Sequence, residues 1–134
     1  YDVVVGSLEH SRSRLRELAN GRALPVVTDE KIWALHGSHF QQLLPAEPIF
    51  VPEGEAAKSW DELGRLITRF TRLNLDRRSP VVALGGGSIG DLTGLAAGLF
   101  KRGCPVIHIP TTLLAQADSA VGGKTAIDAE GQKN

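Results

Sequence analysis

Short apolar runs alternate along the chain with longer stretches in which apolar residues recur every three or four positions. The runs are rich in valine and isoleucine and end at glycine, proline or acidic residues, as β-strands do. They are Asp2–Gly6, Leu24–Asp29, Pro48–Glu53, Pro80–Gly87 and Cys104–Pro110. Helical spacing fills residues 12–20, 32–43 and 60–73, and a glycine-rich helix follows Gly87. This alternation predicts an α/β fold with a Rossmann-like, doubly wound and mainly parallel sheet.

Local signals mark the ends of the predicted helices. Gly21 follows the first helix, as a C-terminal glycine stop does, and Pro45 closes the second. Ser59 and Glu62 have the spacing of a capping box, in which the side chain of each residue accepts a hydrogen bond from the backbone N–H of the other. We therefore expect the third helix to begin directly after Ser59.

Polar and glycine-rich segments follow four of the predicted strands. They are Thr28–Asp29, Glu53–Glu55, Gly85–Gly87 and Pro110–Thr112. Because parallel strands end at the same edge of a sheet, these segments should lie side by side, and ligands of such folds bind beyond that edge. The sequence thus predicts a binding site at the carboxyl ends of the strands.

Composition narrows the kind of ligand. The 134 residues carry 15 basic and 15 acidic side chains, so the formal net charge is zero. This balance argues against broad electrostatic binding to nucleic acid or to an anionic membrane. No apolar stretch reaches the ~18–20 residues of a membrane span, and no signal peptide is visible. The single cysteine, Cys104, cannot form an internal disulfide, which favours a cytoplasmic location.

The glycine-rich segment fits a pyrophosphate-binding loop. Gly85, Gly87 and Gly90 satisfy G-x-G-x-x-G between a strand and a helix, which is the context that this motif requires. Glycine permits positive φ angles and close approach of phosphate to backbone N–H groups, and the helix N-terminus adds partial positive charge. The alternative is a plain strand-to-helix turn, although three consecutive glycines exceed what a turn needs.

Two aspartates accompany this loop in the prediction. Asp91 is expected in the first helical turn, where it either stabilises the helix dipole or accepts a hydrogen bond from a cofactor hydroxyl or amide. The acidic residue that usually follows ~20 positions downstream to bind ribose is absent, so Asp29 after the earlier strand is the candidate for that role.

A second group of chemically active residues lies in Pro110–Asp128. The run Gly122–Thr125 suggests a Walker A loop, but Asp118 stands where that motif needs glycine, so we reject it. Asp118 and Lys124 instead flank a segment of small residues. An acid and a base held in this way suit a polyhydroxylated, anionic substrate. The alternative for any single lysine is a solvated surface charge.

Four motifs in the same order resemble 3-dehydroquinate synthase, a family of sugar-phosphate cyclases. They are PEGEAAKS, GGGSIGDLTGLAAGLFKRG, IPTTLLAQADSAVGGKTAID and the final KN. The resemblance extends from about Asp2 to Asn134. Two departures are that Ser88 stands where valine is usual and that Gln132 stands where glycine is common. Related cyclases such as 2-deoxy-scyllo-inosose synthase share the loop and the P-T-T segment but usually differ around the lysine.

The resemblance implies a reaction and its cofactors. It implies conversion of 3-deoxy-D-arabino-heptulosonate 7-phosphate to 3-dehydroquinate and phosphate, in the shikimate pathway of aromatic amino acid biosynthesis. NAD transiently oxidises the C5 hydroxyl, phosphate is eliminated, the ketone is reduced again and an aldol step closes the ring. A divalent metal, zinc or cobalt, acts as a Lewis acid on the C5 oxygen.

The resemblance also implies roles for individual residues. The implied cofactor-binding residues are Asp29, Glu53, Glu55, Lys58, Gly86, Gly87, Ser88, Asp91, Thr111, Thr112, Leu114 and Lys133. The implied catalytic residues are Asp118, Lys124 and Lys133, and the implied substrate-binding residues are Arg102, Asp118, Lys124 and Asn134. Arg102 matches a family arginine that reaches the substrate phosphate of a neighbouring subunit, so a homodimer is implied.

The domain organisation follows from the same resemblance. Residues 1–134 are expected to form one NAD-binding domain, with 111–134 leading into the substrate site and towards a helical, metal-binding second domain absent from this chain. His36 and His39 share a helix, but they are interpreted as partly buried helix residues, so no metal site is expected here. We expect this chain to be inactive alone. The alternatives are another sugar-phosphate cyclase or a non-catalytic nucleotide-binding domain.

Overall fold

A parallel sheet with helices on both sides forms the protein. The computed structural model describes residues 2–120 and 125–133. The strands are β1 (Leu24–Thr28), β2 (Ala46–Phe50), β3 (Val81–Gly85) and β4 (Val106–Pro110). The helices are α1 (Arg12–Ala19), α2 (Glu30–Leu43), α3 (Trp60–Arg72) and α4 (Gly87–Leu99). Single 3₁₀ turns occur at Glu9–Ser11, Gly54–Ala57 and Phe100–Arg102, and a π-helical turn at Ala115–Ser119. The predicted α/β fold is confirmed.

The strand order creates a crevice at the middle of the sheet. The order is β2-β1-β3-β4, and all three pairings are parallel. The chain moves outward from β1 to β2, then returns to the other side of β1 to form β3 and β4. Successive crossovers therefore diverge between β1 and β3, which is the switch point where ligands bind in sheets of this kind.

Two apolar clusters, one on each face, bury the sheet. One cluster packs α1 and α2 through residues such as Leu15 and Phe40 against Val82 and Leu84 of β3. The other packs α3 and α4, including Phe70, against the opposite face, which carries Val81 and Ala83. Because both faces are covered, the central strands are continuously apolar rather than alternating.

The helix ends depend on caps that the sequence only partly indicated. Ser59 accepts a hydrogen bond from the Glu62 amide at 3.2 Å, as the capping box predicts. The Glu62 carboxylate pairs with Arg65 at 3.3 Å. The first helix ends one residue before the predicted glycine stop, because Asn20 itself takes the left-handed conformation (φ 51°, ψ 47°).

The N-terminal apolar run is not a strand, so that prediction is wrong. Residues 2–6 are irregular, and Val3, Val4 and Val5 are 59%, 55% and 90% exposed. A β-branched run becomes a strand only when a neighbouring strand accepts its hydrogen bonds. Within the described part of the chain, β2 and β4 form the edges of the sheet and neither pairs with this run.

Three of the predicted strands were longer than the observed strands, and the predicted position of β2 was displaced along the chain. The structure begins β2 at Ala46 and ends it at Phe50, whereas the sequence predicted Pro48–Glu53. Glu53 instead precedes the 3₁₀ turn Gly54–Ala57.

In the described ranges no helix has both the length and the apolar character needed to cross a membrane.

Candidate functional site

Backbone hydrogen bonds tie the carboxyl ends of the strands together. The Val51 amide, just after β2, donates to the Thr28 carbonyl at 2.9 Å. On the other side, the Thr111 amide donates to the Gly85 carbonyl at 3.0 Å. The polar segments that follow the strands therefore share one edge of the sheet, as predicted.

The glycine turn connects β3 to α4, and Gly85 is required there for space rather than for an unusual backbone. None of Gly85, Gly86, Gly87 and Gly90 has a positive φ angle, so the turn does not use that freedom of glycine. A Cβ atom on Gly85 would lie 2.5 Å from the Ile89 Cδ1 atom. On Gly86 a Cβ would lie 3.4 Å from the Thr112 methyl group. The absence of side chains thus lets α4 and the end of β4 approach the turn closely.

Helix α4 begins without a side-chain cap. Gly86 is the N-cap residue in an extended conformation (φ −81°, ψ −168°), and having no side chain it makes no capping hydrogen bond to the first turn. The first turn contains no acidic residue, and Asp91 lies at the start of the second turn, one turn later than predicted. Uncapped N–H groups and the helix dipole suit an anionic ligand at the switch point.

The cation of Lys58 lies buried among three carboxylates. Lys58 is 5% exposed, and its Nζ is 3.2 Å from Asp91 Oδ2, 3.7 Å from Asp128 Oδ1 and 3.9 Å from Glu55 Oε2. Glu55 also accepts a hydrogen bond from Ser88 Oγ at 3.1 Å. Burial makes such an ion pair costly to break, because the remaining charges lose their partner in a poorly solvated place. We call Glu55, Lys58, Asp91 and Asp128 the Lys58 cluster.

Asp29 has a structural role in addition to the predicted one. Its Oδ1 accepts a hydrogen bond from the Ile32 amide at 2.7 Å, which caps α2, and the residue is 6% exposed. Asp29 lies directly after β1, next to the switch point. Glu53, the other predicted cofactor residue near this end of the sheet, is exposed.

The segment after β4 presents the remaining predicted cofactor residues. Thr112 Oγ1 accepts a hydrogen bond from the Ala115 amide at 3.1 Å and so starts the short helical segment that follows. Leu114 is 75% exposed in that segment. Asp118 is exposed within the π-helical turn Ala115–Ser119, a distortion that is frequent at functional sites.

The described C-terminal segment, residues 125–133, packs against α4. The Thr125 side chain lies against Gly94, where an added Cβ would collide with its methyl group. Ile127 is buried in the core cluster that contains α3 and α4. A tight turn follows, in which Glu130 (φ 49°) and Gly131 (φ 78°) lie between the paired residues Ala129 and Gln132. Lys133 comes next and is exposed.

Of the predicted substrate residues, the structure places Arg102 away from this edge of the sheet. Arg102 lies beyond the C-terminal end of α4, at the opposite end of that helix from the glycine turn. Lys124 and Asn134 lie outside the described residues. His36 and His39 are exposed rather than partly buried, and His39 pairs with Glu9 at 2.9 Å. Over residues 2–120 and 125–133, no three His, Cys, Asp or Glu residues are grouped as a metal site would need.

Two open grooves lie elsewhere, on the outer surface of α3. Their volumes are about 680 and 350 Å³. The lining residues are Pro48, Ile49, Phe50, Val51, Trp60, Asp61, Glu62, Gly64, Arg65, Leu66, Thr68, Arg69 and Arg72. None of these is a predicted site residue, so we place the candidate site at the strand ends and not in the grooves.

Sequence reasoning missed two residues of the site region, Asp128 and His108. Asp128 lay inside a recognised motif, but nothing in its spacing indicated contact with Lys58. His108 is on β4, and a Cβ on Gly90 would lie 3.4 Å from its Nδ1. Burial lowers the pKa of His108 below its ordinary value of 6.5, and the Asp91 carboxylate opposes this by raising it. The neutral imidazole is therefore favoured beside α4.

The lowered pKa of His108 predicts a dependence of stability on pH. In the unfolded chain His108 takes up a proton near pH 6.5, whereas in the folded protein it takes up that proton only at a lower pH. The free energy of unfolding should therefore fall as the pH decreases below 6.5. Replacing His108 with glutamine should make this decline shallower. Urea denaturation at several pH values measures how the free energy of unfolding changes with pH. The control is His36→Gln, which replaces an exposed histidine. Equal slopes for all three proteins would contradict the prediction.

The chain is similar in sequence to known proteins. A family model described as 3-dehydroquinate synthase N-terminal matches residues 48–134. The 3-dehydroquinate synthase of Zymomonas mobilis is 43% identical over 99% of this chain and 36% of its own length. That of Caulobacter vibrioides is 44% identical over the whole chain and 38% of its own length. The chain thus spans little more than a third of the curated relatives that it matches.

Solved structures show a similar fold. The 2-epi-5-epi-valiolone synthase of Streptomyces hygroscopicus, solved with NAD+ and Zn2+ bound, has a TM-score of 0.86 at 30% identity, covering 96% of this chain and 37% of that one. A 2-deoxy-scyllo-inosose synthase complexed with carbaglucose-6-phosphate, NAD+ and Co2+ has a TM-score of 0.77 at 30% identity, covering 93% and 37%.

Proposed function

The chain belongs to the 3-dehydroquinate synthase family, and from this premise we propose that it is the NAD-binding part of a 3-dehydroquinate synthase. The enzyme would convert 3-deoxy-D-arabino-heptulosonate 7-phosphate to 3-dehydroquinate and phosphate. When bound, NAD supplies a hydride acceptor that is regenerated in each turnover. The observation that carries the proposal is the uncapped start of α4 behind a glycine turn at the switch point of the sheet.

The residues at this edge fit a dinucleotide. Without side chains on Gly86 and Gly87, a diphosphate can approach the first N–H groups of α4. Asp29 and Glu55 lie after β1 and β2, so we propose that they bind the adenosine ribose. Thr111, Thr112 and Leu114 follow β4 and would contact the cofactor from the other side. Glu53 and Ser88 complete the proposed cofactor-binding set.

Lys58 and Asp91 would serve the cofactor together. The Lys58 ammonium contacts Asp91 and Glu55, so we propose that it orients these carboxylates towards cofactor hydroxyls. Lys133, which follows the turn at Ala129–Gln132, is proposed to lie between cofactor and substrate. Asp118, Lys124 and Asn134 would bind substrate, with Asp118, Lys124 and Lys133 as the proposed catalytic residues.

The rest of the proposed enzyme would lie outside this chain. We propose that a second domain supplies the ligands of a divalent metal, zinc or cobalt, since the described residues contain no group suited to it. Arg102 lies far from the glycine turn, which fits the proposal that it serves a neighbouring subunit in a homodimer. Cys104 is a free thiol, which fits a cytoplasmic location.

Binding and turnover test the proposal separately. Calorimetry should show that the chain binds NAD, and the full-length enzyme should release phosphate from the heptulosonate phosphate. Absence of NAD binding would contradict the assignment of the cofactor site. The second candidate function is that of another sugar-phosphate cyclase, because two such enzymes match this fold with TM-scores of 0.86 and 0.77. NAD binding combined with turnover of a different sugar phosphate would favour that candidate.

Replacement of Asp29 with serine separates its two roles. Serine caps helices as well as aspartate does, so the free energy of unfolding should change by less than about 0.5 kcal/mol. The shorter side chain cannot reach a ribose hydroxyl, and loss of that hydrogen bond should weaken NAD binding about tenfold. Urea denaturation and calorimetry measure the two effects. Unchanged NAD affinity would limit Asp29 to capping.

A further inference from the structure

We propose that Asp128 is a positioning residue that holds the segment leading to Lys133 against the cofactor-binding helix, acting through Lys58. This inference rests on the proposed function, because it concerns the reaction in which Lys133 would take part. Asp128 touches neither of the proposed ligands in this scheme. Its effect would come from where it places its neighbours in the chain.

Asp128 contacts Lys58 at two points. Its backbone amide donates to the Lys58 carbonyl at 2.9 Å, and its Oδ1 lies 3.7 Å from the Lys58 Nζ. The same Nζ is 3.2 Å from Asp91 on α4. Lys58 thereby links α4 to the C-terminal segment. Its side chain contacts both, and its backbone carbonyl contacts the C-terminal segment. Two-point attachment fixes orientation as well as distance, which a single hydrogen bond does not.

Burial distinguishes this link from an exposed ion pair. The side chains of Lys58, Asp91 and Asp128 are 5%, 16% and 24% exposed. By contrast, Arg69 and Glu47 form a pair in which both side chains are about half exposed. Exposed pairs contribute little because water screens them, whereas the attraction between charges that are shielded from water is screened much less.

The link can determine where Lys133 lies. Between Asp128 and Lys133 the chain forms the tight turn in which Ala129 and Gln132 exchange backbone hydrogen bonds at 2.9 and 3.0 Å. The turn leaves little freedom between the two residues, so a displacement of Asp128 is passed on to Lys133. A misplacement of about 1 Å at a reacting centre can cost about 100-fold in rate.

Three variants of the full-length enzyme test the proposal. Asp128→Asn keeps the shape and the backbone amide but removes the charge, Asp128→Glu keeps the charge but changes the shape, and Asp61→Asn neutralises an exposed carboxylate on α3 as a control. We expect Asp128→Asn to lower kcat/KM for the heptulosonate phosphate by roughly 10- to 100-fold, with a smaller loss of affinity for NAD. Asp128→Glu should retain more activity than Asp128→Asn, and Asp61→Asn should match the wild type.

Amide hydrogen exchange gives a second readout that does not depend on activity. In Asp128→Asn, exchange over residues 129–133 should become faster while exchange over β1 and β3 stays unchanged. The inference is overturned if Asp128→Asn keeps wild-type kcat/KM and exchange, or if Asp128→Glu is the more damaged variant, since shape rather than charge would then matter. A wild-type enzyme without turnover would contradict the proposed function, and the exchange result would still decide the role of Asp128.

Discussion

Replacing Gly87 with valine is expected to abolish measurable NAD binding while the fold is retained. Gly87 is the first residue of α4 and follows the N-cap Gly86. A branched side chain there would stand where a diphosphate must approach the helix N-terminus. Loss of two hydrogen bonds to a charged group, at about 1.5–3 kcal/mol each, corresponds to at least about a 100-fold loss of affinity. Calorimetry with NAD measures the effect.

The same helix offers a matched control for this prediction. Gly98 is exposed near the far end of α4, and a Cβ there would meet no atom within 4 Å. Gly98→Val should therefore bind NAD as the wild type does, and the thermal unfolding of both variants should show that the fold is kept. Full NAD affinity in Gly87→Val would mean that the dinucleotide does not use this turn.

Replacing Lys58 with methionine is expected to have the largest effect on stability. Methionine fills a similar volume but leaves Asp91, Asp128 and Glu55 without the ammonium that they share. Breaking a buried pair from one side typically costs 3–5 kcal/mol, a large fraction of the ~5–15 kcal/mol by which domains are stable. Urea denaturation at neutral pH measures the change in the free energy of unfolding.

An exposed ion pair provides the comparison. Arg69 lies 3.2 Å from Glu47, and both side chains are about half exposed. Arg69→Met should cost no more than about 1 kcal/mol, because water already screens that pair. If the two variants lose equal stability, burial does not distinguish the Lys58 cluster, and the positioning role of Asp128 would lose its physical basis as well.

Features with a local pattern could be predicted from the sequence. The four strands of the sheet, the glycine turn and the start of α3 each depend on residues close together in the chain, such as Ser59 and Glu62. The edge at which the polar segments meet also followed, because parallel strands must end on the same side. The physical reason for the glycines could not be predicted, because the sequence does not distinguish a positive φ angle from close packing against Ile89 or Thr112.

Features that depend on distant residues could not be predicted. Asp128 meets Lys58 only after two crossovers have brought α4 and the C-terminal segment together, and no periodicity marks the pair. The run Val3–Val5 was wrongly predicted as a strand, for the same reason. Its composition favours a strand, but pairing depends on a neighbour that the pattern does not specify.

The order in which the Lys58 cluster is synthesised has a consequence for folding of the growing chain. All four strands precede Thr111, so the sheet can close before Asp128 emerges from the ribosome. During that interval the contact between the Lys58 ammonium and Asp128 is not yet formed, whereas Glu55 and Asp91 are already part of the chain. We expect the nascent protein to hold the four strands in place while residues 125–133 have not yet docked against α4.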